Sequence, residues 1–139
     1  MRLKRILAGI VLCGALSTIS LYAQDGNIVA TGTFHGDARH TMGRATIYQT
    51  PKGEVLRITH FKTTDGPKLH VLLIAADDAK DDLNIFKEKI DKVDLGPLKG
   101  TEGDQNYDMP VGTDLSKYKT VAIFCRRFLI TFGAAPLQK

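Results

Sequence analysis

Cysteine, histidine and methionine are the side chains in this chain whose chemistry reaches beyond packing. Cys125 stands in the run V-A-I-F-C-R-R-F, directly before Arg126 and Arg127. A thiol beside two cations is a candidate redox nucleophile, a candidate ligand to a metal or haem, or a small apolar plug in a sheet. His40 and His70 are ligands of intermediate softness that could join a thiolate, and Met42 and Met109 could supply a weak axial sulfur. A His, His, Cys, Met set is the donor set of a blue-copper centre. However, no histidine or methionine follows Cys125 in the short loop that usually carries such ligands, and no C-x-x-C-H haem attachment occurs. Haem and copper therefore remain weakly supported, and the cofactor is unknown. The plain alternative for His70 is a half-buried core histidine bonded to backbone. For His40 it is a solvent-facing turn residue.

Other chemistries lack their residues. No Ser, His and Asp set reads as hydrolytic, and no glycine-rich phosphate loop is present. Asp65, Asp94, Asp104, Asp108 and Asp114 are spread over loops without the spacing of a compact calcium loop, and fit turn capping better. Conventional enzymatic acid–base chemistry is thus the weaker reading.

The elements that must position these side chains are short. The segments 27–34, 44–49, 55–61, 69–75, 93–96, 103–110, 120–125 and 128–132 read as extended, with turn signals between them. Leu56 and Ile58 alternate with Arg57 and Thr59, while 69–75 is almost continuously apolar and reads as a central strand interrupted by His70. Pro51-Lys52-Gly53-Glu54 predicts a hairpin turn. Ala79, Leu83, Phe86 and Ile90 at helical spacing predict either a short helix near 81–89 or an ordered excursion. The fold class is all-β: a single antiparallel β-sandwich with at most one short helix. On strand parity Cys125 shares a face with Val121 and Ile123, and Arg126 falls on the other.

The chain has 139 residues, enough for one domain. Arg2, Lys4 and Arg5 precede an apolar run over 6–21, and Leu21-Tyr22-Ala23 offers a cut before Gln24. That is the pattern of an export signal, and the run is shorter than the roughly twenty residues of a membrane span. The expected organisation is a signal peptide at 1–23 and one domain at 24–139. Loss of the three basic residues takes the 19 Lys and Arg to 16, against 15 Asp and Glu. The basic precursor charge is therefore mostly a targeting feature, and nucleic acid is excluded as a partner by the lack of a basic, aromatic face. The expected location is periplasmic or secreted, with membrane contact only through an uncleaved signal segment. Cys125 would then be the sole cysteine of the exported form, either well buried or used.

Four ordered blocks carry a family resemblance. They are G-T-F at Gly32 with H-T-M-G at His40, V-L-R-I and F-K-T-T-D-G-P-K-L-H-V over 55–71, V-D-L-G-P-L-K-G-T-E-G-D-Q-N-Y-D-M-P over 93–110, and V-A-I-F-C-R-R-F-L-I-T-F-G-A-A-P-L over 121–137. Together they resemble the DM13 domain, also labelled an electron-transfer DM13 domain. The resemblance implies a β-sandwich. It implies that Cys125 matches the family's cysteine, for which redox chemistry as free thiol or ligand is proposed, and it places His40 and His70 at family positions. Members are exported bacterial and extracellular animal proteins, sometimes beside DOMON domains, so a partner here would be a separate extracytoplasmic redox or binding protein. Two readings stand. One is an exported, redox-associated electron-transfer domain using Cys125. The other is a non-enzymatic extracytoplasmic binding or structural module in which Cys125 is packed core.

Overall fold

The computed structural model describes residues 27–139, so the export segment at 1–23 lies outside the described residues. Eight strands form in chain order: β1 (Asn27–Thr33), β2 (Met42–Thr50), β3 (Gly53–Lys62), β4 (Leu69–Ile74), β5 (Lys92–Pro97), β6 (Gln105–Asp108), β7 (Thr120–Cys125) and β8 (Ile130–Pro136). They pair antiparallel in two four-stranded sheets, ordered β1-β2-β3-β6 and β5-β4-β7-β8. The architecture is the antiparallel β-sandwich that the alternation predicts.

Each strand follows from its local sequence. Apolar residues at Ala45, Ile47, Leu56 and Ile58 repeat with period two, and all four are fully buried. The Pro51-Lys52 turn joins β2 to β3 at the Thr50–Gly53 pair, where Gly53 takes φ 127°, a left-handed value that glycine tolerates. Between the sheets these side chains meet Val71, Leu73, Val121, Ile123, Cys125 and Phe132. Tyr107 and Met109 share that core from the β6 side. The Tyr107 hydroxyl accepts the Lys99 N–H at 2.8 Å and donates to Gln105, so its buried polar tip is satisfied.

The second sheet has apolar side chains on both faces. Leu72, Ile74, Ala122, Phe124 and Ala134 point away from the sandwich into a smaller core, covered by Ala79 and Ile85. The cover is the excursion 75–91, and it contains no helix. Its helical spacing is overridden by tertiary bonds. The Asp82 N–H donates to Thr131 O at 3.0 Å, and the Thr131 N–H returns to Leu83 O at 3.0 Å. Asp82 and Lys89 take φ values of 65° and 56°, incompatible with a continuous right-handed helix. Ile85, fully buried, anchors the cover.

One difference from the expected strand limits matters for the site. The last strand begins at Ile130 rather than Phe128, because the turn extends over 126–129. There the Leu129 N–H donates to Cys125 O at 2.8 Å with Leu129 at φ 59°. Phe128 and Leu129 are consequently exposed instead of continuing a strand.

The sheets also join along one side. Thr31 exchanges backbone hydrogen bonds with Gln138, and His35 with Ala134, at 2.8 to 3.0 Å. A Cβ at Gly32 would run into the Pro136 carbonyl, so glycine permits this approach. Gly133 plays a similar part where a Cβ would overlap Cβ, Cγ2 and Oγ1 of Thr41. Thr41 is buried and cannot yield freely, since its hydroxyl contacts Thr63 Oγ1 at 2.7 Å and donates to Phe132 O at 3.0 Å. Gly133→Ala should therefore cost about 1–3 kcal/mol, the ordinary penalty of overpacking. Urea titration of Gly133→Ala, Thr41→Ala and the double variant checks this, and the double variant should lose less than the two singles summed.

Candidate functional site

Cys125 is the free cysteine of the described residues, and it closes β7 with none of its surface exposed. Its inward row is that of Val121 and Ile123, as strand parity requires. The thiol donates to Pro67 O at 3.0 Å, and the Phe128 N–H approaches the sulfur at 3.5 Å. Pro67 and Phe128 are themselves exposed. The sulfur thus lies one layer below the surface, under the 66–68 loop and the 126–129 turn.

His70 sits on the adjacent strand, opposite Phe124, and points to the other face of the sheet. Its environment differs from the backbone-bonded core histidine considered above. Nδ1 lies 3.0 Å from both carboxylate oxygens of Asp94. Asp94 Oδ2 also accepts from Arg126 Nη1 at 2.9 Å, and Oδ1 accepts from the Gly96 N–H at 2.8 Å. Side-chain exposures of 20% for His70, 32% for Asp94 and 45% for Arg126 describe a half-open cluster. Burial alone would resist ionisation of Asp94. The His70 hydrogen bond, the Gly96 N–H and the charges of His70 and Arg126 outweigh it and hold the carboxyl below its ordinary range.

The remaining candidates are dispersed. His40 is an exposed turn residue with φ 49°, and its N–H donates to Asp37 O at 3.3 Å. Met42 is exposed, whereas Met109 is buried between the sheets with Cys125. Because β4 and β7 are paired neighbours, their alternation sends His70 and Cys125 to opposite faces of one sheet. They cannot bind one metal ion in this fold. Among the described residues no three His, Cys, Asp or Glu side chains group for metal binding. A copper centre drawing on Cys125, His70, His40 and a methionine does not fit this arrangement.

Asp94 and Arg126 are the site residues that sequence reasoning did not join to His70. A signal was present. His70 and Arg126 both fall on the outward parity of β4 and β7, and Asp94 opens a D-L-G stretch, bulged within β5, whose carboxylate meets the Gly96 N–H. Pairing β5 beside β4 was the missing step. The lowered pKa of Asp94 fixes the sign of a pH effect. Its contribution is fully present above about pH 3.9, the ordinary aspartate value, and is lost as pH falls through the lower folded value. Urea midpoints should show Asp94→Asn less stable than the parent at neutral pH, with the gap closing below about pH 4.

A family model described as Electron transfer DM13 matches residues 33–137. The matched span runs from the last residue of β1 to the tail after β8 and includes Cys125, His40, His70, Asp94 and Arg126. No curated protein and no solved structure matches the chain. The family's description supports a general electron-transfer role, and with nearly the whole folded region inside the match the chain belongs to the electron-transfer DM13 family.

Proposed function

We propose that this protein is an exported electron-transfer domain in which Cys125 is the redox thiol, serving a separate disulfide-bearing protein outside the cytoplasm. The observation that carries this reading is the setting of the sulfur. It is fully buried, yet both of its hydrogen-bond partners belong to exposed residues, Pro67 and Phe128. Local opening of one loop or one turn uncovers it, with the sandwich intact. The exchange step is balanced without further reagents. The Cys125 sulfur, as thiolate, attacks one sulfur of the partner's disulfide, and a mixed disulfide forms as the partner's S–S bond breaks. The departing partner sulfur takes up the proton that Cys125 gave up. Export follows from the basic, then apolar, N-terminal pattern, which also suits a compartment where disulfides persist.

A second reading, a binding or structural module with Cys125 as packed core, is favoured by the row it shares with Val121 and Ile123. Reaction of the native protein with a small aromatic disulfide across a urea series separates the two. A redox thiol reached by local opening should react at a rate nearly flat in low urea and well above that set by global unfolding. A packed thiol should react only as the whole domain unfolds, with the urea slope of the equilibrium transition. Cys125→Ser supplies the zero-signal control. A visible absorption band in the exported protein that disappears in Cys125→Ser would instead make the residue a ligand.

A further inference from the structure

We infer that the His70–Asp94–Arg126 cluster is a carboxylate-binding site, independent of whatever Cys125 does. Its three side chains come from β4, β5 and the end of β7, and each was brought there by a different part of the sequence. Asp94 is saturated: His70 Nδ1 reaches both oxygens, and Gly96 N–H and Arg126 Nη1 take one each. This shared carboxylate fixes the imidazole and guanidinium planes while leaving other nitrogens unused. Among the described residues His70 Nε2, Arg126 Nη2 and Arg126 Nε have no hydrogen-bond partner. Two fixed cationic groups around one internally consumed anion leave a surplus of positive charge facing solvent when the imidazole is protonated.

A metal cation is the poorer occupant. The guanidinium beside His70 repels it, and among the described residues no third His, Cys, Asp or Glu joins His70 and Asp94. An oxyanion gains from both groups, and a planar carboxylate matches the guanidinium fork. His70 can donate through Nε2 only as imidazolium, since Nδ1–H is already given to Asp94, so an oxyanion bound there favours that form. The charged groups that bear on it are Asp94 and Arg126; farther along the sheet, where Lys92 pairs with Ile74, the Lys92 Nζ lies 4.1 Å from the centroid of the Phe86 ring. Phe86 in turn packs on Phe124, the residue paired with His70, with centroids 5.6 Å apart. This half-exposed aromatic and the lysine extend the cationic site along the sheet face. The carboxylate could belong to a small free acid or to an Asp or Glu side chain on a partner protein.

The test is a titration of the full exported chain, isotope-labelled, with sodium acetate at constant ionic strength maintained by chloride, following the His70 imidazole resonances. A saturable shift is expected, with binding at about pH 5.5 stronger than at about pH 8.5 because the imidazolium form donates through Nε2. Arg126→Gln should weaken binding about tenfold, the scale of one lost charge-assisted hydrogen bond, with the dispersed spectrum of the parent retained. His70→Gln provides a second variant should Arg126→Gln fail to fold, and it should abolish the pH dependence of binding, read at neighbouring amides. A Glu-rich peptide distinguishes the sources. Tighter binding than acetate, with shifts reaching Lys92 and Phe86, marks a protein side chain, whereas equal affinity confined to His70 and Arg126 marks a small acid. A shift that rises linearly without saturation, or an affinity unchanged in the folded variant, overturns the site.

Discussion

The inner strands of the second sheet are buried from both sides, and much else depends on that constraint. All six residues of β7 are buried, and in β4 only His70 retains exposure. A strand with no wet face cannot leave any peptide group to solvent, so β7 must be paired along both edges, by β4 and β8. The outer apolar row of Leu72, Ile74, Ala122 and Phe124 also needs a roof. Segment 75–91 provides it, tied to Thr131 of β8 at Asp82 and Leu83 and closed by separate turns over 84–90 instead of one continuous helix. The local preference for helix loses because a helix would forgo those bonds and move Ile85 off the sheet.

The roof also explains where chemistry can occur. It shelters the outer face over Ile74, Leu72 and Phe124, and polar side chains begin where the sheltered row gives way to His70 and Arg126. On the inner face the same end of the sheet holds Cys125. One pair of neighbouring strands therefore carries a covered thiol on one side and an ionic cluster on the other. The two are close along the chain of contacts yet separated by the thickness of the sheet. Arg126 illustrates the division: it follows Cys125 directly, but its guanidinium serves Asp94 on the far side.

Much of this was legible in the residues themselves. Alternation placed β3 and the β2–β3 hairpin, and the near-continuous apolar run at 69–75 placed β4 in the interior. Parity also put Cys125 with Val121 and Ile123, and Arg126 opposite. What the chain did not disclose depends on contacts distant in sequence. Ala79, Leu83, Phe86 and Ile90 have helical spacing whether or not Thr131 is available to bond the backbone of Asp82 and Leu83. Phe128 and Leu129 have strand character, but a chain reversal at 126–129 outranks it. The Asp94 partnership needed knowledge that β5 lies beside β4, and nothing in the D-L-G-P sequence specifies its neighbour. His40 and Met42 looked like ligands by type, and a turn and the exposed first residue of β2 put them at the surface.

The mutual closure of β1 and β8 has a consequence for how this domain can meet other proteins. Each would otherwise be an open edge offering unpaired N–H and C=O groups to any extended segment, but the bridges at Thr31–Gln138 and His35–Ala134 consume groups on both. The opposite margin offers little more. There β6 is only four residues long, and β5 ends in Pro97 and is offset by a bulge against Val71 and Leu72. Strand addition, the generic route by which β proteins recruit peptides or one another, thus finds few places to begin. Association is thereby left to side chains and loop tips, where charge and shape discriminate.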